Sequence, residues 1–461
     1  MNQHDAEKMT NLLLHEGLSP ASDASGADVV VVHTCSVRER AEQRLYSELG
    51  TLCGLKQQRP GLILGVGGCV AQQEADALLA RFPGVDFVFG PQNLRSLPAL
   101  IRAAGEGVRS LRVDYDESDA RFDLPERHPD LESRTPGRAF VTVMEGCDLF
   151  CAFCVVPRTR GREISRPATS ILEEVRRLAS EGVVEVTLLG QTVNAYGRPR
   201  PGRAPGEVSF PELIRRLAQV PGIERIRFTS PHPLFMTPEL AACYAEVPEL
   251  CPHLHLPVQS GSDRVLERMG RRYTRARYLE IVAGLRRARP GLALTTDLIV
   301  GFPGEAPEDF EATLSMVREV GFVDSYSFKY SPRPETPAAR RGLTPVDPDQ
   351  AQARLVQLQS LQAELTERAH SARLGSVTRV LVGGESRHGG GQQTGRCPEH
   401  RIVNFSTPAP VPAGAFAEVR ITAVTPHSLL GEATSASISQ AAEQPRPVRS
   451  PVPRDLQLPV I

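Results

Sequence analysis

The chain has 461 residues, of which 41% are hydrophobic and 23% are charged, and its formal net charge at pH 7 is −1. This length predicts two to four domains of ordinary globular composition. The near-neutral charge gives no indication of a nucleic-acid partner, the polar first residues are not a signal peptide, and no apolar run has transmembrane length.

Nine cysteines in a chain without a signal peptide indicate metal or redox chemistry rather than a disulfide framework. We therefore expect a cytoplasmic protein without a membrane partner. Only three of the 53 basic residues are lysines, Lys8, Lys56 and Lys329. Arginine suits phosphate contact, although genomic base composition explains the bias more simply.

Residues 1–105 are predicted to form an α/β domain with a parallel sheet. Strands are predicted at 28–33, 62–66 and 86–89, and helices at 5–17, 37–55, 71–82 and 93–104. Cys35 and Cys69 follow the first two strands, at the edge where open sheets bind ligands. They could share a metal or be separate buried thiols, whereas Cys53, inside a predicted helix, is expected in the core.

Residues 106–137 have few apolar side chains and no periodicity, so they are predicted to be a linker. Residues 138–373 alternate six strands with helices and end in a long connecting helix at 349–372. The strands are predicted at 139–144, 184–189, 225–229, 254–258, 293–300 and 325–330. The intervening helices are predicted at 170–181, 210–219, 238–245, 262–269, 275–287 and 307–320. Periodicity alone does not distinguish a partial barrel from an open doubly wound sheet.

A cysteine triplet, Cys147, Cys151 and Cys154, follows the first strand of this central domain with C-x₃-C-x₂-C spacing. Thiolates select zinc, copper(I) or iron–sulfur clusters. A structural zinc needs four ligands, and no further Cys or His occurs in the next fifty residues. The triplet therefore predicts a four-iron cluster with one open iron. Phe150 and Phe153 are expected to keep water off it. The alternative is three unrelated thiols.

Polar motifs follow four of the next strands, at residues 190–196, 230–233, 259–263 and 301–305. Each could be a turn or helix cap, but four at one face of the domain favour a ligand site. Arg158, Arg160, Arg162 and Arg166 follow the cysteine triplet at every second or fourth residue. This run could be a solvated face or a phosphate-binding surface.

Residues 374–434 are predicted to form a small β-barrel, with strands at 378–382, 401–405 and 417–422 between Gly-rich turns. Such barrels serve either as structural modules or in binding. Residues 435–461, rich in Pro, Ser, Gln and Arg, are predicted to be a disordered tail.

The cysteine triplet after a first barrel strand resembles the radical S-adenosylmethionine superfamily. The longer string MEGCDLFCAFCVVPRTRGREISRP at 144–167 resembles the methylthiotransferases, and within them the MiaB-type tRNA enzymes. This resemblance implies an α/β fold with three parts. They are an N-terminal parallel-sheet domain, a central partial (β/α)₆ radical-SAM barrel and a C-terminal TRAM barrel that binds RNA. The segments 394–396 and 401–405 match the TRAM domain of the MiaB type.

The resemblance implies methylthiolation of adenine C2 in N6-isopentenyladenosine at tRNA position 37. The cluster on the triplet would bind S-adenosylmethionine through its open iron and, once reduced, cleave it to a radical that takes hydrogen from C2. The implied partners are tRNA and a one-electron donor such as flavodoxin or ferredoxin, acting on a monomer. Residues implied in binding S-adenosylmethionine are Gln191, Asn194, Gln259, Ser260, Gly301 and Gly304. Residues implied in RNA binding are Arg158, Arg160, Arg162, Arg396, Arg401, Asn404 and Phe405.

Two other functions remain open. A sister methylthiotransferase would act on threonylcarbamoyladenosine or on a ribosomal-protein aspartate, although the strings at 155–161 and 401–405 favour the isopentenyl branch. A non-catalytic iron–sulfur protein that binds RNA is the alternative from another class, and the set of cofactor-side loops disfavours it.

The family carries a second [4Fe–4S] cluster on three cysteines, two of them in motifs like those around Cys35 and Cys69. The third belongs to a Gly-Cys-Gln-Met-Asn motif at the end of a first strand, and this chain begins at Met1-Asn2, inside that motif. We expect that the natural start lies upstream. The alternative is a variant whose second cluster is weak or absent.

Overall fold

Four parallel strands form the N-terminal sheet of the computed structural model, which describes residues 2–35, 39–131, 135–199, 208–387 and 389–434. Its elements are α1 (Asn2–His15), β1 (Val29–Thr34), α2 (Glu39–Gln58), β2 (Ile63–Gly68), α3 (Cys69–Glu74), α4 (Asp76–Arg81), β3 (Phe87–Phe89), α5 (Leu97–Gly105) and β4 (Ser110–Arg112). The strand order is β1-β2-β3-β4. Apolar side chains of α2 cover one face of the sheet, and those of α1 and α5 cover the other. The sheet is therefore buried on both faces, as its β-branched strands predict.

Two local predictions in this domain are wrong. The segment 106–137, expected to be a linker, contributes the edge strand β4, which pairs with β3 in parallel. Three residues are too few to show a period in the sequence. The helix expected at 71–82 is instead two short helices, because Ala75 between them has a positive φ of 44°. The predicted tail at 435–461 lies outside the described residues.

The central domain contains the six predicted strands and helices in the predicted order. Its elements are β5 (Arg138–Thr142), β6 (Met144–Glu145), α6 (Val156–Thr159), β7 (Ile164–Ser165), α7 (Ala168–Ser180), β8 (Glu185–Leu189), α8 (Phe210–Ala218), β9 (Arg225–Phe228), α9 (Pro238–Glu246), β10 (His253–His255), α10 (Asp263–Arg268), α11 (Arg275–Ala288), β11 (Ala293–Val300), α12 (Pro307–Val320), β12 (Asp324–Lys329), α13 (Pro337–Arg340) and α14 (Pro348–Ser371).

These strands form two three-stranded parallel sheets, β5-β8-β9 and β10-β11-β12. A parallel bridge between Ile226 and Leu250 joins the two sheets. One face of the strands packs against the helices in the largest hydrophobic core of the described chain. The opposite face lines the interior of the partial barrel, and all carboxyl ends lie at one side.

A closed five-stranded barrel forms the C-terminal domain, in the order β13-β14-β15-β17-β16. Its strands are β13 (Val377–Glu385), β14 (Gln393–Arg396), β15 (Ile402–Ser406), β16 (Phe416–Val424) and β17 (Leu429–Ala433). The predicted three-part α/β fold is thus confirmed. Within the described ranges, every helix is too short or too polar to cross a lipid bilayer.

Two buried arginines of β9 attach this barrel to the central domain. Arg225 donates to the backbone oxygens of Arg396 and Arg379 (3.0 and 2.5 Å), and Arg227 donates to those of Pro398 and Cys397 (2.9 and 3.0 Å). Glu185 on the neighbouring strand compensates both charges at 3.6 and 3.1 Å. A buried pair that loses one partner leaves an uncompensated charge, so Glu185 is critical to this interface.

We predict that Glu185→Ala lowers the free energy of unfolding by about 3–5 kcal/mol, because it leaves two buried guanidinium groups without a counter-charge. Urea unfolding of the full chain measures this change. The matched control is Glu224→Ala, which breaks an exposed pair with Arg379 across the same interface and should cost about 1 kcal/mol or less. Equal losses in the two variants would contradict this explanation of the interface.

Candidate active site at the carboxyl ends of the central strands

A glycine fixes the start of the cysteine loop, residues 147–154. Strands β6 and β7 pair on either side of this loop. Gly146 has a φ of 80°, and a Cβ there would lie 2.1 Å from the backbone oxygen of Arg162. Only glycine permits this backbone approach. The Gly146 N–H donates to Gln191 Oε1 at 2.5 Å, and the Cys147 N–H donates to the Gly161 oxygen at 3.2 Å.

Two polar groups contact the thiols of this loop. Cys147 Sγ lies 3.1 Å from the Thr192 hydroxyl. The guanidinium of Arg271 donates to Cys151 Sγ at 3.6 Å and to the Pro257 oxygen at 2.9 Å, so its charge is held beside the sulfur. Arg271 is buried, so solvent screens its charge only weakly. The sequence did not single out Arg271, whereas Thr192 lies in the 190–196 motif.

The aromatic residues of the loop differ in their surroundings. Phe153 is partly buried against the loop and against the neighbouring Phe302 cluster, and its shielding of an iron–sulfur cluster stays a prediction. Phe150 is 51% exposed and has a φ of 50°, with the guanidinium of Arg162 5.5 Å from its ring centre. Its left-handed backbone turns the side chain outward, so the expectation that Phe150 shields a cluster is wrong.

Burial keeps two of the three thiols protonated in the metal-free protein. It raises the pKa of Cys147 to about 11, and burial with the negative charges of Cys151 and Cys147 raises the pKa of Cys154 to about 12. Metal binding requires thiolates, so an iron–sulfur cluster would displace these protons as it binds.

The predicted [4Fe–4S] cluster determines how its protein ligands must be arranged. Among the residues that the structure describes, no three His, Cys, Asp or Glu side chains surround the position of one metal ion. A [4Fe–4S] cluster binds each thiolate on a different iron, so its ligands need not converge on one point. Three thiols on one short loop, with a buried arginine beside one of them, fit such a cluster.

Two buried donors at this end of the barrel have no partner within the described chain. They are Gln191 Nε2, after β8, and His232 Nε2, after β9. Burial lowers the pKa of His232 to about 2, and its Nδ1 accepts from the Leu234 N–H at 3.2 Å, so the proton is on Nε2. Buried donors normally have partners, so these two fit a polar ligand such as S-adenosylmethionine.

Other predicted cofactor residues bind neighbouring loops. Both ends of the Asn194 amide contact the His232 backbone, at 3.0 and 2.8 Å, and so join the 190–196 and 230–233 loops. Ser260 is fully buried, and its hydroxyl lies 3.3 Å from the Thr313 hydroxyl. Gln259 is buried, with a φ of 75°, and its backbone bridges to Leu298. These three residues shape the carboxyl ends of β8 to β11, and contact with the cofactor stays a prediction.

Gly301 and Gly304 approach protein rather than ligand. A Cβ at Gly301 would lie 2.8 Å from that of Ala351 on α14, and one at Gly304 would lie 2.1 Å from Arg268 Nη1. The Gly301 N–H donates to Glu305, which forms a buried pair with Arg354 of α14 at 2.6 Å. These glycines allow α14 and Arg268 to pack, and their close approach to a ligand stays a prediction.

Cys35 and Cys69 lie together at the ends of β1 and β2, as the parallel sheet predicts. A hydrogen bond from the Cys35 thiol lowers the pKa of Cys69 to about 6. Next to them, Thr34 Oγ1 and His33 Nδ1 are buried without a hydrogen-bond partner in the described residues. Cys53 packs instead against Gly84 and the hydrophobic cluster beneath α2. The two thiols and their neighbours therefore fit a further bound group.

Arg160 was expected to contact phosphate but is buried between the two cysteine sites. It pairs with Asp5 of α1 at 2.5 Å and interacts with Cys69. Burial alone would raise the pKa of Asp5, but the charge of Arg160 holds that pKa well below its usual range. The two neighbours in the run are more exposed: Arg162 pairs with Asp148 at 2.8 Å, and Arg158 pairs with Glu335.

The predicted RNA-binding residues of the C-terminal barrel are largely structural. Phe405 is fully buried in the barrel core, and Asn404 is buried with its amide bonded to the Ser428 hydroxyl at 3.3 Å. Arg401 donates to the Ala369 oxygen of α14 at 2.6 Å, and Arg396 donates to the His400 oxygen at 2.7 Å. The expectation that Asn404 and Phe405 contact RNA is therefore corrected. RNA contact by the two arginines stays a prediction.

Three described families match successive parts of the chain. Residues 141–317 match the Radical SAM superfamily, and residues 372–434 match the TRAM domain. Residues 1–90 match a family described as Uncharacterized protein family UPF0004. The radical SAM match contains all three cysteines of the loop.

A solved structure shares the fold at low sequence identity. The radical S-adenosylmethionine methyltransferase TsrM from Kitasatospora setae, with cobalamin and a [4Fe–4S] cluster bound, has a TM-score of 0.56 at 18% identity. The similarity covers 74% of each chain. It supports the fold alone.

Curated relatives are similar along nearly the whole chain. The tRNA-2-methylthio-N(6)-dimethylallyladenosine synthase of Geobacter sulfurreducens is 51% identical over 94% of this chain and 95% of its own length. The enzymes of the same name from Geobacter metallireducens and Thiobacillus denitrificans are 50% and 46% identical, each covering 94% of this chain and 96% of their own. With this identity over this length, the chain belongs to the tRNA-2-methylthio-N(6)-dimethylallyladenosine synthase family.

Proposed function

We propose that this chain methylthiolates adenine C2 of N6-isopentenyladenosine at position 37 of tRNA. The observation that carries the proposal is 51% identity, over 94% of the chain, to a synthase named for this product. Membership of the radical SAM superfamily implies a [4Fe–4S] cluster and S-adenosylmethionine as cofactors. The cysteine loop provides three thiols at the carboxyl ends of the strands, where a barrel places its chemistry.

Each residue around the loop has a separate role in this proposal. Cys147, Cys151 and Cys154 would hold the cluster, and Arg271, which donates to Cys151 Sγ, would offset part of the cluster's negative charge. Gln191 fixes Gly146 through its oxygen, while its Nε2 and the Nε2 of His232 remain available to S-adenosylmethionine. When bound, the cluster and S-adenosylmethionine together supply a carbon radical able to take hydrogen from an unactivated C–H bond.

We propose that Cys35 and Cys69 would hold a second [4Fe–4S] cluster, which would supply sulfur for the methylthio group. The hydrogen bond between the two thiols and the neighbouring buried Thr34 and His33 support this assignment. The cation of Arg160 would offset the negative charge of such a cluster.

We propose tRNA as substrate and a flavodoxin or ferredoxin as one-electron donor, with the chain acting as a monomer in the cytoplasm, where tRNA is modified. Since the net charge is −1, phosphate contacts must be local. Arg162, beside the cysteine loop and 56% exposed, supports such a contact.

We predict that the anaerobically reconstituted protein adds a methylthio group to an anticodon stem-loop carrying isopentenyladenosine. Stem-loops with threonylcarbamoyladenosine or plain adenosine should remain unchanged. The Cys147→Ala/Cys151→Ala/Cys154→Ala variant should make no 5′-deoxyadenosine, because no thiolate remains to hold the cluster. Mass spectrometry of the digested RNA, with chromatography of 5′-deoxyadenosine, measures both results.

The matched control is Cys243→Ala, which removes a buried thiol from α9, remote from the loop. This variant should retain the activity of the natural chain. Preferential modification of the threonylcarbamoyl stem-loop would favour a sister methylthiotransferase. Formation of 5′-deoxyadenosine by the triple variant would overturn the assignment of the cluster ligands.

A separate prediction concerns the second cluster. Cys35→Ala/Cys69→Ala should lower the bound iron to about four atoms per chain, the content of one cluster, and lower methylthio transfer. Iron analysis and mass spectrometry measure these changes. Cys53→Ala is the control, since that thiol packs against Gly84, and it should bind iron as the natural chain does. Equal iron in the double variant and the natural chain would contradict the role of Cys35 and Cys69.

A further inference from the structure

Three side chains from neighbouring strands share the interior face of the partial barrel. His255 of β10 pairs in register with Thr295 of β11, and Asp297 of β11 pairs with Tyr326 of β12. Side chains alternate between the two faces of a strand, so His255, Asp297 and Tyr326 lie on one face. Leu254, Leu294 and Leu298 occupy the opposite face and pack in the hydrophobic core.

Tyr326 is exposed although its neighbours are fixed. Its side chain is 54% exposed, and its ring meets that of His255 edge to face at a centroid distance of 5.9 Å. His255 is held by the Thr295 hydroxyl at 2.9 Å and by Asp297 Oδ2 at 3.3 Å. The structure therefore presents an exposed aromatic ring inside the barrel, in contact on one edge with the hydrogen-bonded His255.

The rings of His400 in the C-terminal barrel and His253 on β10 lie 5.2 Å apart between their centroids. Arg396 of β14 donates to the His400 oxygen at 2.7 Å and so lies at the same contact. The exposed ring of Tyr326 thus stands where the central domain meets the C-terminal barrel, with a carboxylate and a cation on the same surface.

The position of Tyr326 suits a nucleotide next to the reacting one. Tyr326 lies three residues before Lys329, where β12 ends, which corresponds to roughly 10 Å along the strand. The cysteine loop lies at those strand ends. An adenine that reaches them must leave its base stack, so a neighbouring base also needs a new surface to stack on.

We propose that Tyr326, His255, Asp297 and Arg396 form a base platform that holds a nucleobase adjacent to the target adenine. The ring of Tyr326 stacks on that base, and Arg396 contacts the adjoining phosphate. Asp297, whose side chain is 31% exposed, accepts a hydrogen bond from an exocyclic amino group of the base. This assignment rests on the proposed function, since it names a specificity element for the same RNA substrate.

The test combines protein variants with altered RNAs in one binding experiment. The proteins are the natural full chain, Tyr326→Ala, Tyr326→Phe and Val356→Ala, which alters a 52% exposed residue of α14. The RNAs are the intact isopentenyladenosine stem-loop and two copies of it with a single abasic nucleotide each. The abasic nucleotide precedes the target adenosine in one copy and follows it in the other. Fluorescence anisotropy at one fixed salt concentration gives each Kd.

Tyr326→Ala should weaken binding of the intact stem-loop roughly 5- to 100-fold, the effect of losing one base–aromatic stack. Tyr326→Phe keeps the ring and should bind within about twofold of the natural chain. Val356→Ala should bind unchanged. One of the two abasic RNAs should bind the natural chain as weakly as the intact RNA binds Tyr326→Ala. This abasic RNA should bind Tyr326→Ala no more weakly than it binds the natural chain.

Unchanged binding of the intact RNA by Tyr326→Ala would overturn the platform. The platform would also be overturned if removing the base lowered the affinity by the same factor in the natural chain and in Tyr326→Ala. Equal factors would mean that the effects of ring and base are independent, so the two do not touch. Methylthiolation of the intact stem-loop by the natural chain and by Val356→Ala tests the proposed function separately. Activity there with independent losses would reject only the platform.

Discussion

The buried ion pair between Arg160 and Asp5 is the interaction on which the arrangement of the two cysteine sites depends. Arg160 follows the cysteine loop and α6 of the central domain, and its side chain interacts with Cys69 of the N-terminal domain. A buried guanidinium without a counter-charge would cost several kcal/mol, so the domains must meet where α1 supplies Asp5. Gln92 binds the Arg160 oxygen at 2.6 Å and Arg121 binds the Glu145 oxygen at 3.1 Å, which fixes the same contact from two further elements.

Buried arginines with a compensating carboxylate also attach the C-terminal barrel to the central domain. Arg225 and Arg227 bind four backbone oxygens of the C-terminal barrel, and Glu185 compensates their charge. The planar guanidinium has five donors in a fixed fork, so it can bind two carbonyl groups in a set geometry, whereas the lysine ammonium has three donors around a single point charge. A chain with only three lysines among 53 basic residues thus uses arginines to join its domains. Base composition alone does not account for these buried positions.

The sequence predicted what depends on local pattern. Alternating β-branched strands and amphipathic helices predicted the N-terminal sheet and the six central units, and the cysteine spacing predicted the loop. It failed where a distant segment decides the outcome. Arg158, Arg160 and Arg162 have the spacing of a solvated face, but Asp5 lies far away in the chain and buries Arg160. Gly301 has the sequence context of a ligand-binding glycine. The residue that a Cβ at Gly301 would meet is Ala351, fifty residues later, so the local sequence could not reveal this contact.

The most direct test of the proposed activity is nucleoside analysis of tRNA from cells that make isopentenyladenosine but lack their own methylthiotransferase. The tRNA is compared with and without expression of this chain. We expect 2-methylthio-N6-isopentenyladenosine to appear only with the chain, while threonylcarbamoyladenosine stays unmodified. Isopentenyladenosine that remains entirely unmethylthiolated in the presence of an iron-loaded chain would contradict the proposal.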